Sequence, residues 1–300
     1  MDREMYGQNE KRILSLPVSG LRRTYGTMIR FSEKTRIHYE TDIDQWRASD
    51  HTPYCSVNRK QVYINDMAPG LLIDKLADEM GKALYPVMIC TDENGTMQGI
   101  VNNEAIRERW SHAKERIRQY YKGEIVDRSV AEMESHLYHA STLFNRLKED
   151  WFFSLFFSGI YGLGPYDFRK STLLELPQIP YSKPLKYAIT REITEQHTQS
   201  KCLVITGKGT LIENRSAGDI AMKSLLPVHN LTHSASGNAI GEVNLKYMLY
   251  HKDFAIRSIT GTSSFQHPQE GKQETSFEIY HLPEYDRPLQ HYEMEDLAAR

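Results

Sequence analysis

DRSVAEMESHLYHASTLFNRLKEDWFFSLFF, Asp127 to Phe157, is the stretch that decides how this chain folds. Val130, Met133, Leu137, Ala140, Phe144, Leu147 and Trp151 recur at alternating steps of three and four, the spacing that lines one face of a helix. Beyond Trp151 the apolar residues no longer keep to one side. A helix turn that is apolar all round must be surrounded, so Phe152 to Phe157 are expected to sit inside something rather than on it.

Working back towards the start, Asn103 onward places Ile106, Trp110, Ala113, Ile117 and Tyr120 at helical spacing, with Asn102 or Asn103 as cap and Gly123 at the end. The short link predicts that this helix and the one from Asp127 form an antiparallel hairpin. Before it, Asp92-Glu-Asn-Gly95 joins Tyr85–Thr91 to Thr96–Val101 as a hairpin, because Asn-Gly tolerates positive φ at both turn positions. Pro69 opens an amphipathic helix carrying Leu72, Ile73, Leu76, Met80 and Leu84. Tyr25–Phe31, Thr35–Ile43 and Ser56–Ile64 alternate as half-buried strands.

On the other side, Gly159, Gly162, Gly164 and Pro165 end the helical run, and Pro177, Pro180 and Pro184 keep the next stretch extended and irregular. Strands follow at Leu185–Thr194, at Lys201–Thr206 turning through Gly207-Lys-Gly209 into Thr210–Glu213, and at Glu242–Tyr250, Phe254–Gly261 and Thr275–Tyr280. Ala217 to Asn238 reads as a long loop with a short helix. The order β-rich, helical, β-rich predicts an α+β fold, with an antiparallel curved sheet, a meander or half-barrel, packed on a helical hairpin. Residues 1–16 read as a polar N-terminal segment, 17–282 as one domain with a sub-boundary near 162–184, and 283–300 as a C-terminal tail.

Charge argues against a polyanionic partner: 37 basic side chains face 39 acidic ones, for a formal net charge of -2. Nucleic acid is therefore not expected. Cys55, Cys90 and Cys202 are widely spaced and form no metal or disulfide pattern. A reducing, cytoplasmic location and a soluble protein are expected, with no transmembrane segment, since the most apolar window, Trp151 to Tyr161, is about half of a bilayer span.

Chemical signatures are sparse. Glu132, His136 and His139 would share a helix face but lack the order of a zinc hydrolase motif. Thr206-Gly-Lys-Gly-Thr210 lacks the spacing of a phosphate loop, and the glycines after Phe157 follow a helix instead of opening one. His229 and His233 lie near Ser224, Ser234, Ser236 and Asp219 without a nucleophile elbow. Arg107, Arg109, Lys114, Arg116, Arg118 and Lys122 form a basic helix face diluted by Glu104, Glu108 and Glu115. No catalytic residue, cofactor or metal ligand is assigned.

The order of elements, with an Asn-Gly hairpin and enclosed helices, is similar to that of half-barrel lipoprotein carriers and related lipid-binding proteins. The likeness is one of architecture and assigns no residue. The chain also departs from exported carriers in having no recognisable signal peptide or lipobox cysteine. The function expected is a non-catalytic binding protein with an apolar cavity or groove for a lipid-like ligand or a partner segment. Trp151, Phe152, Phe153, Phe156, Phe157 and Tyr161 are the ligand or interface residues. The alternatives are an assembly component of a larger complex, and a hydrolase or transferase using a histidine-containing site.

Overall fold

The computed structural model describes residues 14–17, 20–31, 35–162, 170–179, 182–197, 202–227 and 239–286. The chain opens with the meander β1 (Leu21–Phe31), β2 (Thr35–Arg47) and β3 (Pro53–Ile64), then helix α1 (Leu72–Lys82) and the hairpin β4 (Val87–Thr91) and β5 (Met97–Ile100). Four helices follow: α2 (Asn103–Tyr120), α3 (Glu124–Tyr138), α4 (Ala140–Lys148) and α5 (Trp151–Phe156). The second strand-rich part holds β6 (Thr172–Leu176), β7 (Leu185–His197), β8 (Cys202–Leu211), helix α6 (Ala217–Ala221), β9 (Gly241–Tyr250), β10 (Ile256–His267) and β11 (Gly271–His281).

All eleven strands belong to one antiparallel sheet in the order β5-β4-β3-β2-β1-β11-β10-β9-β8-β7-β6. The join is β1 with β11, in register from Tyr25 opposite His281 to Phe31 opposite Thr275. Strands from both sides of the helical segment are thus a single layer, and the sheet stays open, with β5 and β6 as its edges. Its inner face follows period two: in β9, Val243, Leu245, Tyr247 and Leu249 are buried. Helix α5 lies on that inner face, against Tyr25, Phe31, Tyr247 and Phe277. Helix α4 touches edge strand β5 and α5 touches edge strand β6, so the pair spans the gap that closure would have filled.

The hairpin at Asn94-Gly95 forms as its residues demand. Gly95 has φ +80, and Asp92 Oδ1 accepts from the amides of Asn94 and Thr96 at 2.9 and 2.8 Å. A side chain at Gly95 would meet Tyr161 at 2.8 Å, so the same glycine lets the segment leaving α5 pack on the turn. Helices α2 and α3 run antiparallel: Arg107 donates to Leu137 and Tyr138 carbonyls near one end, and Lys114 pairs with Glu134 at 2.6 Å further along. Arg109 likewise serves the last carbonyls of the α1 segment, those of Ala83, Leu84 and Pro86. Much of the basic face of α2 is therefore occupied in closing helix ends.

Several expectations are corrected. Asp127–Phe157 is three helices, because His139 adopts extended backbone (φ −116, ψ 132) between α3 and α4. The stripe shifts there: Ala140 is exposed, and Leu143 takes the buried place expected of Phe144. Tyr120 is exposed too, as are Leu72 and Ile73, since α1 begins at Leu72, beyond Pro69. Asn102 precedes α2 without capping it; its side chain bonds Met88 and Pro86 of the neighbouring strand region. Gly207-Lys-Gly209 is no turn but the middle of β8, paired with Ile189–Arg191. The glycines serve close approach: a Cβ at Gly209 would lie 2.5 Å from the Ala188 carbonyl oxygen. Finally, β6 lies in a stretch expected to be irregular.

Leu155, with no exposed surface, is expected to be a folding anchor: Leu155→Ala should cost about 2–5 kcal/mol in urea unfolding. Tyr138→Ala, at a side chain 74% exposed, should change stability by less than about 0.5 kcal/mol.

Candidate ligand cavities beside the aromatic helix

Helix α5 is short, and its start is fixed by Asp150, whose Oδ1 accepts from the amides of Phe152 (2.8 Å) and Phe153 (3.4 Å). Its side chains radiate into the concave sheet. Trp151 meets Phe31 and Phe277 at ring-centroid distances of 6.1 and 5.6 Å, and Phe156 meets Tyr25 edge-on at 5.1 Å. Tyr247 of β9 donates to the Leu155 carbonyl at 3.1 Å and bonds the Ser158 hydroxyl at 2.7 Å, while Tyr161 donates to the Phe254 carbonyl at 3.1 Å. What surrounds the aromatic turns is this chain's own sheet.

Two cavities flank that packing, both open to solvent on one side. The first, about 250 Å³, lies between α1 and the inner face of β1–β3 and is lined by Ile29, Phe31, Ile37, Val62, Ile64 and Trp151. Its polar lining is Arg59 with Asp74, Asp78 and Asp150. The Arg59 guanidinium sits 5.6 and 4.9 Å from the ring centres of Tyr39 and Tyr85, a cation between two aromatic faces. Among the described residues it has no hydrogen-bond acceptor and no carboxylate within ion-pair distance. Helix α1 passes close over it at Gly81, where a Cβ would lie 2.6 Å from Nη2 and the guanidinium would have to shift.

Electrostatics around Arg59 are those of a partly dry pocket. Burial pushes the Asp150 carboxyl above the usual carboxylate range, against the lowering effect of Arg59 and of the two amides it caps. Burial also raises the Tyr85 phenol to about 12 and the Tyr39 phenol well above its ordinary value. For Arg59, burial works to lower the pKa, but Tyr85, Asp150, Tyr39 and Asp78 together outweigh it and raise the value.

The second cavity, about 570 Å³, lies in the seam between the two sheet edges. Thr96 and Met97 line it from the β5 side, Thr172 to Glu175 from β6, Phe153 and Phe157 from the α5 segment, and Arg191 from β7.

The expected aromatic residues divide accordingly. Trp151 lines the first cavity and Phe153 and Phe157 the second, whereas Phe152, Phe156 and Tyr161 are buried without lining either. Glu132, His136 and His139 do not gather: the break at His139 takes it off the α3 face, and His136 accepts from Arg146 Nε at 3.2 Å. Among the described residues no three metal-ligating side chains come together, and no helix is long and apolar enough to cross a membrane. His229, His233, Ser234 and Ser236 lie outside the described residues. Sequence reasoning overlooked Arg59 and Arg191. Both fall on inward positions of their strands, Arg59 after Cys55 and Val57, Arg191 after Leu185, Tyr187 and Ile189, so period two alone marks them as cations among core residues.

No family model and no curated protein matches this chain. Among solved structures, the chain has a likeness to one described as "Lipid-protein interactions in lipovitellin", at 10% identity and a TM-score of 0.43. The match covers 91% of this chain and 26% of that one, so the chain spans about a quarter of the length of the protein it matches. At that TM-score no argument rests on the likeness.

The raised Asp150 gives a pH signature. Between the unfolded carboxyl value near 3.8 and the higher folded one, the native state holds a proton that the unfolded state has lost, so this group's contribution to stability falls as pH rises. Asp150→Asn keeps an amide-accepting cap and removes the titration. In urea melts its stability should gain on wild type as pH rises from 4 through the folded pKa of Asp150 and level off above it; parallel pH curves would contradict the assignment.

Proposed function

We propose that the protein is a non-catalytic binding protein that holds the apolar part of a lipid-like small molecule in the cavity between α1 and the β1–β3 meander. The observation that carries this reading is the pairing of an apolar wall, Ile29, Phe31, Ile37, Val62, Ile64 and Trp151, with a guanidinium at its end whose donors are unused among the described residues. Apolar concavities with a few convergent polar groups are where small molecules bind. Each methylene moved from water into such a wall contributes about 0.8 kcal/mol. Arg59 would receive an oxygen-bearing head.

Size limits the ligand. At about 250 Å³ the cavity falls just under the ~300–1,000 Å³ of common small-molecule sites, so it takes one short apolar segment with its head. The rest of a longer ligand would lie over the exposed run Met67, Leu71, Leu72 and Ile73, which flanks Pro69 at the cavity wall. The other occupant this geometry would accept is an apolar segment of a protein partner, which the same experiment separates.

Val62 is half-buried on the wall, and Val62→Trp would fill the space from the β3 side. Delipidated protein is expected to bind a fluorescent single-chain fatty alcohol or acid, and Val62→Trp to weaken that binding at least about tenfold with its melting temperature preserved. Native mass spectrometry of protein from its own source should show a small-molecule adduct that Val62→Trp lacks. Absence of probe binding, or equal binding by the filled variant, would sink the lipid reading.

A further inference from the structure

We infer that the seam cavity is a binding site for an oxyanion, a phosphate or phosphate-bearing head, recognised by Arg191. Arg191 is 3% exposed, and two of its donors are used inside the fold: Nη1 to the Thr172 hydroxyl at 2.9 Å and Nη2 to the Ser158 carbonyl at 3.1 Å. Its Nε is buried with no hydrogen-bond partner. Among the described residues no carboxylate stands within ion-pair distance of it.

The other deeply buried arginines behave differently. Arg215 is bonded through Nε and Nη2 to Glu213 at 2.9 Å each, and Arg23 reaches Asp253 at 2.6 Å. A buried cation without its counter-charge costs several kcal/mol, a penalty that a bound anion would reduce.

The walls agree with that assignment. Two cations line the cavity, Arg191 and the exposed Lys148, against one acid, Glu175, which is itself engaged by Lys186 at 3.6 Å. Thr96 and Thr172 lie on the same walls, and the Thr172 hydroxyl, which accepts from Arg191, keeps its own proton to donate, whereas those of Ser154 and Ser158 are engaged by the Lys148 carbonyl and Tyr247. Phe153 and Phe157 give one side an apolar surface, so the site would accept a free phosphate or the head of a lipid whose short chains lie against the aromatics. A hydrogen bond from a guanidinium N–H to an oxyanion is charge-assisted, the strong kind. The site is separate from the α1 cavity and stands or falls without it.

Calorimetric titration of the full chain at low salt, with inorganic phosphate, with monomeric short-chain phosphatidic acid and with the matching short-chain diacylglycerol, tests the inference. Wild type should bind at least one of the two phosphate-bearing probes and bind the neutral one at least tenfold more weakly. Phosphate as tight as phosphatidic acid would identify a free anion, and tighter phosphatidic acid a lipid head. Arg191→Met should weaken binding about 10- to 100-fold while leaving the ligand-free melting temperature no lower than wild type. Should that variant not fold, Lys148→Glu, at an exposed site, should weaken binding about tenfold with unchanged melting. Val62→Trp should leave phosphate binding intact, which separates this site from the α1 cavity. No binding of either phosphate probe, or wild-type affinity in both charge variants, would overturn it.

Discussion

The structure turns on the enclosure of a helix of six residues, Trp151–Phe156, that has no polar side to turn to water. Five of the six are buried, and the sixth, Ser154, spends its hydroxyl on the Lys148 carbonyl. Water cannot cover such a segment without losing about 1.5–3 kcal/mol for each large apolar side chain, so some surface must. Here the surface is a sheet assembled from both ends of the described chain, closed across the middle by β1 and β11 and bent until Tyr25, Phe31, Phe277 and Tyr247 all reach the same helix. The bend also accounts for the edges. With α4 and α5 inside, β5 and β6 stand either side of the helices and do not pair, which leaves an open seam.

Both cavities are by-products of this arrangement. One is left where α1 rides over the meander, with Arg59 beneath Gly81; the other is left where the sheet fails to close. Each has an arginine set against an aromatic wall from the α5 segment: among the described residues Arg59 makes no direct ion pair, although Asp78 and Asp150 share its cavity, and Arg191 has no carboxylate within ion-pair distance. The shared design places cations where the core would ordinarily take a leucine or valine, a cost to folding that ligand contacts would offset.

Much of the architecture was legible because it follows from periodicity. The one-sided stripe followed by an all-round apolar end identified α5 as enclosed, the Asn-Gly turn located β4 and β5, and the order of elements implied a curved antiparallel sheet. The failures are equally physical. The three–four rhythm runs on through His139, so nothing in apolar spacing registers a backbone that turns extended there. Gly207 and Gly209 carry turn chemistry but are needed for close packing inside β8, a distinction that only the neighbouring Leu245 and Ala188 make. The five-residue β6 is too short to separate from a proline-rich connection. As for the site, the aromatic excess pointed to α5, beside which both cavities lie, while the polar groups that would orient a ligand sit on strands distant in sequence. Arg59 and Arg191 were readable as inward-facing cations, but their lack of partners is a fact of three dimensions.

The central claim is that the chain's own sheet, with no ligand required, encloses the aromatic helix. Native-state hydrogen exchange on ligand-stripped protein tests it most directly. The account predicts that the amides of Ser154, Phe157 and Tyr161, bonded to the carbonyls of Asp150, Phe153 and Asn94, exchange as slowly as those at the β1–β11 join, through global unfolding. Exchange of these amides orders of magnitude faster than the β1–β11 pair, with protection regained only when an apolar ligand is added, would contradict it.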